Sequence, residues 1–145
     1  MMKRGMFMVL ICMIAMGALQ AQDKAVEYLK TAIELNNQNQ YDASLELCDR
    51  ALNLAPEFSN AWFLRGYNHY CMEKYDKAID DFSVALHYDG DYADAYYYRG
   101  KARQASGSYY NALLDLNKAR KLDPGRSAVL ILRSIFSSTK ADDVK

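Results

Sequence analysis

One internal repeat limits more than any other feature how this chain can fold: Tyr41-Asp42-Ala43-Ser44-Leu45 recurs as Tyr75-Asp76-Lys77-Ala78-Ile79, and again, after the same interval, as Tyr109-Tyr110-Asn111-Ala112-Leu113. Cys48, Phe82 and Leu116 share one register, and Ala51, Ala85 and Ala119 share another. Earlier in each unit Trp62 matches Tyr96, and Arg65-Gly66 matches Arg99-Gly100; Pro56, Gly90 and Pro124 close the units. A constant period of this size, kept without insertion, is the mark of stacked units that each bury an apolar face against the next.

Within a unit the apolar spacing is helical. Ala78, Ile79, Phe82, Ala85 and Leu86 recur at three- and four-residue steps and form one stripe. Trp62, Gly66 and Tyr70 form a second face at four-residue steps, and the break near Met72 to Lys74 divides two antiparallel helices. The expected pairs are 23–36 with 41–54, 60–72 with 75–88, and 94–105 with 109–122. Asn36 to Gln40 and Ser106-Gly107-Ser108 are turns, the glycine suiting a left-handed helix end. Pro56 and Pro124 forbid continuation because proline lacks an amide hydrogen. Ser127 caps a last helix through about 138, and 139–145 reads as a flexible tail.

These residues resemble tetratricopeptide repeats. Trp62, Gly66, Tyr75, Ala78, Phe82 and Ala85 fit that pattern, as do Tyr96, Gly100, Tyr109, Ala112, Ala119 and Pro124; the first unit (Tyr28, Ala32, Tyr41, Ser44, Cys48, Ala51, Pro56) is worn, and Gly90 departs from the usual proline. The resemblance implies an all-α, antiparallel helix-pair solenoid coiled as a right-handed superhelix, with repeats at about 25–58, 59–92 and 93–126 and a capping helix over 127–138. Glycine and alanine are expected to leave shallow spaces, with Trp62 over Ala78 and Tyr96 over Ala112.

The same resemblance sets the first helices on the inner curve. Phe63, Tyr67, Tyr70 and Cys71 would then face a groove, followed by Tyr97, Lys101, Gln104 and Ala105, with Val26, Leu29 and Ile33 from the first unit. Tyrosine suits recognition because it offers a broad ring, few torsions to immobilise and a hydroxyl. Some members grip a terminal carboxylate with inward asparagine and basic residues. Here Phe63, Tyr67, Leu29 and Ile33 stand in much of that space, leaving Lys101 and Arg103 as candidate anion contacts. The expected partner is an unidentified protein or peptide. A homo-oligomer built on the terminal helix (Leu130, Ile131, Ile135, Phe136) or on the groove is the alternative.

Residues 1–21 read as a signal peptide preceding a domain at 23–138: Lys3 and Arg4 lead an apolar run from Met6 to Leu19, and Ala18-Leu19-Gln20-Ala21 ends in a processing site. An uncleaved anchor and lipid attachment at Cys12 are the alternatives, the latter disfavoured by bulky Ile11. No other stretch is long enough to span a bilayer, so none is expected after cleavage. Export into a bacterial periplasm is the expectation, with secretion or anchoring as other outcomes. Of 18 basic side chains, losing Lys3 and Arg4 leaves 16 against 18 acidic ones. That balance supplies no basic field for nucleic acid.

No catalytic constellation emerges. His69 and His87 are the only histidines, Cys48, Cys71 and His69 lack a compact zinc-ligand spacing, and Asp80-Asp81 and Asp142-Asp143 are adjacent without being aimed at one substrate. His69 reads as an inner-face polar residue, and Cys48 and Cys71 as buried free thiols rather than a disulfide. No cofactor, metal or enzymatic activity is expected. Arg65, Arg99 and Arg133 recur at the repeat interval, as do Asp81 and Asp115, which predicts a ladder of arginine–carboxylate pairs.

Overall fold

The computed structural model describes the backbone of residues 2–125 and the side chains of residues 6–125. The expected helix over 127–138, the tail 139–145 and Arg133 lie outside the described residues. Six α-helices follow one another: α1 (Met2–Asn37), α2 (Tyr41–Leu54), α3 (Ser59–Cys71), α4 (Tyr75–Tyr88), α5 (Ala93–Ala105) and α6 (Tyr109–Leu122). Among the described residues there is no strand.

Five of the six helices begin within a residue of the positions the spacing predicts. The exception is α1, which does not begin near residue 23 but runs unbroken from Met2 through Ala18-Leu19-Gln20-Ala21 into the first unit. Nothing in residues 18–24 breaks a helix, so the apolar run and the repeat helix join. Every large apolar side chain from Met6 to Leu19 is exposed, and the helix is long and apolar enough to cross a membrane by length and composition.

Each helix pair is closed by the same turn. Asn39, Glu73 and Gly107, which share one register of the repeat, have φ of 60°, 59° and 85°. The residue after each donates its N–H back to a carbonyl in the helix just ended (Gln40 to Leu35, Lys74 to His69, Ser108 to Arg103, at 2.9, 2.8 and 2.8 Å), so carbonyls at the helix end are satisfied by a left-handed stop. Only the third turn has the residue that adopts this conformation freely.

The helices pack as α1 on α2, α3 on α4 and α5 on α6, with α2 meeting α3 and α4 meeting α5 between units. In addition α3 touches both α1 and α5, whereas α2, α4 and α6 do not touch one another. The first helices of the units therefore lie on the inside of the curve.

The core follows the repeat register. Ser44, Ala78 and Ala112 are buried, as are Ala51, Ala85 and Ala119. Gly66 and Gly100 mark the closest approaches: a Cβ on Gly66 would lie 3.0 Å from the Phe82 ring, and one on Gly100 would lie 2.9 Å from Leu116 Cγ. The Gly100 contact is closer than a side chain accepts and the Gly66 contact stands at that limit, so these glycines set the spacing of the helix pair.

One packing expectation is corrected. Trp62 does not sit over Ala78. Trp62 packs against the core cluster of the first unit on one side and against the cluster of Ala85, Leu86 and Ala95 on the other, while its indole N–H donates to the Pro56 carbonyl at 2.7 Å. Tyr96 packs with Ala85, Leu86 and Ala95. The cluster that holds Ala78 with Phe82 and Ala102 is covered by Phe63, Tyr67, Tyr70, Tyr75 and Tyr98, and Phe82 fills the Gly66 side.

The first junction between units adds a buried polar centre to its apolar cluster. Asn68, fully buried, donates to Ser44 Oγ at 2.8 Å and accepts from Asn36 at 2.7 Å, and Ser44 donates to the Ala32 carbonyl at 2.8 Å. At the second junction Ala102 stands in the register of Asn68, and Tyr98 in that of Leu64.

A candidate groove of aromatic rings

The inner faces of α3 and α5 carry the site. On α3, Phe63, Tyr67 and Tyr70 fall at successive helical steps, which stacks them along one side of the helix. Their rings are nearly parallel: Phe63 and Tyr67 are inclined by 16° with centroids 6.3 Å apart, and Tyr67 and Tyr70 by 22° at 6.5 Å. Tyr98 of α5 crosses this row edge-on, 4.9 Å from Tyr67 at 75° and 5.8 Å from Tyr70 at 64°. Tyr75 of α4 meets Tyr70 at 61°, Tyr92 lies 4.8 Å from Phe63, and Tyr97 lies 5.1 Å from Tyr98 at 84°.

All seven rings are half-buried. Beneath them lie Ala78, Phe82 and Ala102, fully buried. Burial, reinforced by Tyr98 and Cys71, pushes the Tyr67 phenol well above its usual value. Burial followed by the neighbouring Tyr75, Tyr97, Tyr98 and Cys71 also raises the Tyr70 phenol. Both stay protonated and able to donate. Lys101 and Gln104 continue the α5 face, with Nζ 3.5 Å from Oε1.

The structure brings Phe63, Tyr67, Tyr70 and Tyr97 into one ring cluster through Tyr98, which joins the two helices and which sequence reasoning did not name. The repeat register carried the signal, since Tyr98 aligns with Leu64, a buried residue at the preceding junction. Tyr92 likewise aligns with Phe58, which packs on the first core cluster. Leu29 is corrected: it is 7% exposed within that cluster and does not line the groove, whereas Ile33 is 44% exposed. Val26 and Cys71 are half-buried, and Ala105 is exposed.

A charged layer lies between the helices of each pair. Arg65 donates bidentately to Asp81, with Nη2 to Oδ1 at 2.6 Å and Nε to Oδ2 at 3.1 Å, and its Nη1 reaches Asp49 of the preceding unit at 2.8 Å. Arg99 repeats the arrangement with Asp115 at 2.8 and 2.9 Å and with Ser83 of the preceding unit at 3.0 Å. For Arg65, burial works against the charge, but the hydrogen bonds and charges of Asp81 and Asp49 outweigh it and raise the pKa.

Two polar assignments change. His69 is not an inner-face residue: its Nδ1 lies 2.9 Å from Asp81 Oδ2. Arg103, in the same register, donates to Asp115 at 2.7 Å and is not an anion contact of the groove. Cys48 and Cys71 are both free, and burial, aided by Asp49, pushes the Cys48 thiol up to about 12. Among the described residues no group of three or more His, Cys, Asp or Glu could hold a metal.

No family model matches the sequence, and no curated protein matches it. In fold the chain is similar to the first TPR of Spaghetti (RPAP3) bound to HSP90 peptide SRMEEVD, with a TM-score of 0.72 and 22% identity over 82% of this chain and 95% of that one. It is similar also to the second TPR domain of human RPAP3 in complex with HSP70 peptide SGPTIEEVD (TM-score 0.71, 24% identity, 79% of this chain and 97% of that). A third similarity is to the Thermobaculum terrenum O-GlcNAc transferase (TM-score 0.70, 28% identity, 72% of this chain), of which the match spans only 20%. The fold is therefore that of a tetratricopeptide-repeat domain, a helix-pair solenoid of the kind that carries peptides in the first two of these structures.

Proposed function

We propose that this domain is a non-catalytic binding module that holds a segment of another protein against the rings of α3 and α5. The observation that carries this reading is the continuous cluster from Phe63 to Tyr97 on the inner side of the curve, each ring half-buried. Rings packed on one face and open on another bring apolar area and hydroxyl donors to a ligand at low entropic cost. The buried carboxylates Asp81 and Asp115 are each held by an arginine, and the Cys48 thiol is kept protonated, which supports a binding role over a chemical one. Export to a bacterial periplasm is part of the proposal, supported by Lys3 and Arg4 ahead of the apolar run.

The test is a display selection from an unbiased peptide library on protein recovered from expression of the full chain. A Tyr67→Ala, Tyr97→Ala double variant, checked for native helicity, should bind the selected peptides roughly 10- to 100-fold more weakly, as the loss of two anchor rings implies. Affinity unchanged in the folded variant would move the site elsewhere.

A second reading, self-association, is favoured by α6. Tyr109, Tyr110, Leu113 and Leu114 are 70%, 74%, 57% and 51% exposed. In the earlier units Asp42, Glu46, Asp76 and Asp80 occupy the registers of Tyr110 and Leu114, so apolar residues replace acidic ones only in the last unit. Sedimentation across a dilution series is expected to reveal a concentration-dependent dimer if this face pairs. A monomer at all concentrations rejects that reading.

A further inference from the structure

We propose that residues 127–138 seat on α6 as the first helix of a fourth unit, with Leu132 and Phe136 buried against Leu113 and Leu116. The segment is then a further element of the solenoid and not a polar lid on its end.

The face that receives it is defined by the two junctions already closed. In α4, Tyr75 and Ile79 pack on the cluster that Ala102 of α5 completes, and Phe82 is fully buried within it. The same registers of α2 hold Tyr41 and Leu45, half-buried, and Cys48, fully buried. On α6 they hold Tyr109, Leu113 and Leu116. Tyr109 is 70% and Leu113 57% exposed, and Leu116 is half-buried where Cys48 and Phe82 are sealed. Among the described residues α6 meets α5 alone. A solenoid that ended there would carry polar side chains on this face, because its last unit has no neighbour to bury it. Large apolar ones call for a covering element.

The chain leaving α6 supplies that element at the spacing of the closed junctions. Four residues, 55–58 and 89–92, connect α2 to α3 and α4 to α5, and four more, 123–126, separate Leu122 from Ser127. From Ser127 the repeat interval aligns Val129 with Ala61 and Ala95, Leu132 with Leu64 and Tyr98, and Phe136 with Asn68 and Ala102. Ala61, Leu64, Asn68, Ala95 and Ala102 are all buried. Side-chain size also matches: Phe82 shares its cluster with small Ala102, whereas the smaller Leu116 leaves room for Phe136. Ile131 and Ile135 align instead with Phe63 and Tyr67 of α3, on the inner side of the curve.

A second copy of the chain is the other candidate for this face. The short tether favours the chain's own segment, since it holds the two surfaces at a local concentration that separate molecules do not reach. Tyr110 and Leu114 lie in other registers and are left for self-association.

Urea unfolding of protein from the full chain tests this, with sedimentation run on the same samples. Leu132→Ser with Phe136→Ser should lower the midpoint by roughly 1 M or more, as the loss of two buried apolar side chains implies. Ile131→Ser with Ile135→Ser removes as much apolar character from the other face and should leave the midpoint within error. Leu113→Ala and Phe136→Ala, made singly and together, should be non-additive, because after one change the other has no contact left to lose. The milder alanine cycle decides the matter if the serine pair does not fold. Equal midpoints for the two serine pairs, or an additive alanine cycle, overturn the proposal. So does a loss that accompanies dissociation of a dimer, which assigns the face to a second copy. Peptide selection on the groove is read separately, so either reading can fail alone.

Discussion

Phe82→Ala should lower the unfolding free energy by about 3–5 kcal/mol, the cost of removing a fully enclosed aromatic side chain. Phe82 is 0% exposed. Its ring edge lies where a Cβ on Gly66 would be 3.0 Å away, and it lies 5.6 Å from Phe63 and 6.3 Å from Tyr98. The loss is large because two glycine-narrowed helices cannot collapse further to refill the space. Urea unfolding followed by circular dichroism measures it as a lower midpoint at an unchanged slope. The ring also supports Phe63 and Tyr98 from beneath, so peptide affinity should fall together with stability. A loss below about 1 kcal/mol would mean that the second unit is not packed around this residue.

Asp81→Ala should cost about as much, roughly 3–5 kcal/mol, for a different reason. The carboxylate is 4% exposed and receives Arg65 bidentately together with His69. Removing it strands a guanidinium that is only 24% exposed, with Asp49, itself 57% exposed, as its remaining partner. The penalty comes from the uncompensated charge and not from the net worth of the pair. Replacing both partners together, as Arg65→Met with Asp81→Leu, should therefore recover most of the loss. The same urea experiment on the three proteins separates the explanations, since a double variant as unstable as Asp81→Ala would assign the effect to packing.

The fold was legible because its determinants repeat. Ala78, Phe82, Ala85 and Gly66 have counterparts one repeat later in Ala112, Leu116, Ala119 and Gly100, so a local pattern became a periodic one and the helix pairs followed. The arginine ladder was legible on the same ground, and Arg65–Asp81 and Arg99–Asp115 are both present. What the sequence hid depends on which of two adjacent helix faces a ring takes. Trp62 and Phe63 are neighbours in the chain, about 100° apart around the helix, and the filled space beside Gly66 decides which of them covers Ala78. Tyr98 was missed as one of three consecutive tyrosines, and only its alignment with Leu64 distinguishes it from Tyr97. His69 and Arg103 turned away from the groove because a buried carboxylate attracts them more strongly than water. In the full chain α1 continues from the apolar run into the repeat helix, without a proline or glycine between residues 18 and 24 to separate them.

The two junctions along the solenoid are held by different forces, and they will respond differently to strain. Asn68 joins the first unit to the second through directional bonds to Ser44 and Asn36, which are either made or broken. The second unit meets the third through rings around Tyr98, together with the Arg99 hydrogen bond to Ser83 at 3.0 Å. The first junction thus has a buried amide at its centre and the second a set of crossed rings. Because Tyr67, Tyr70 and Tyr98 straddle the second junction, the packing there fixes how the ring-bearing faces of α3 and α5 are set against each other.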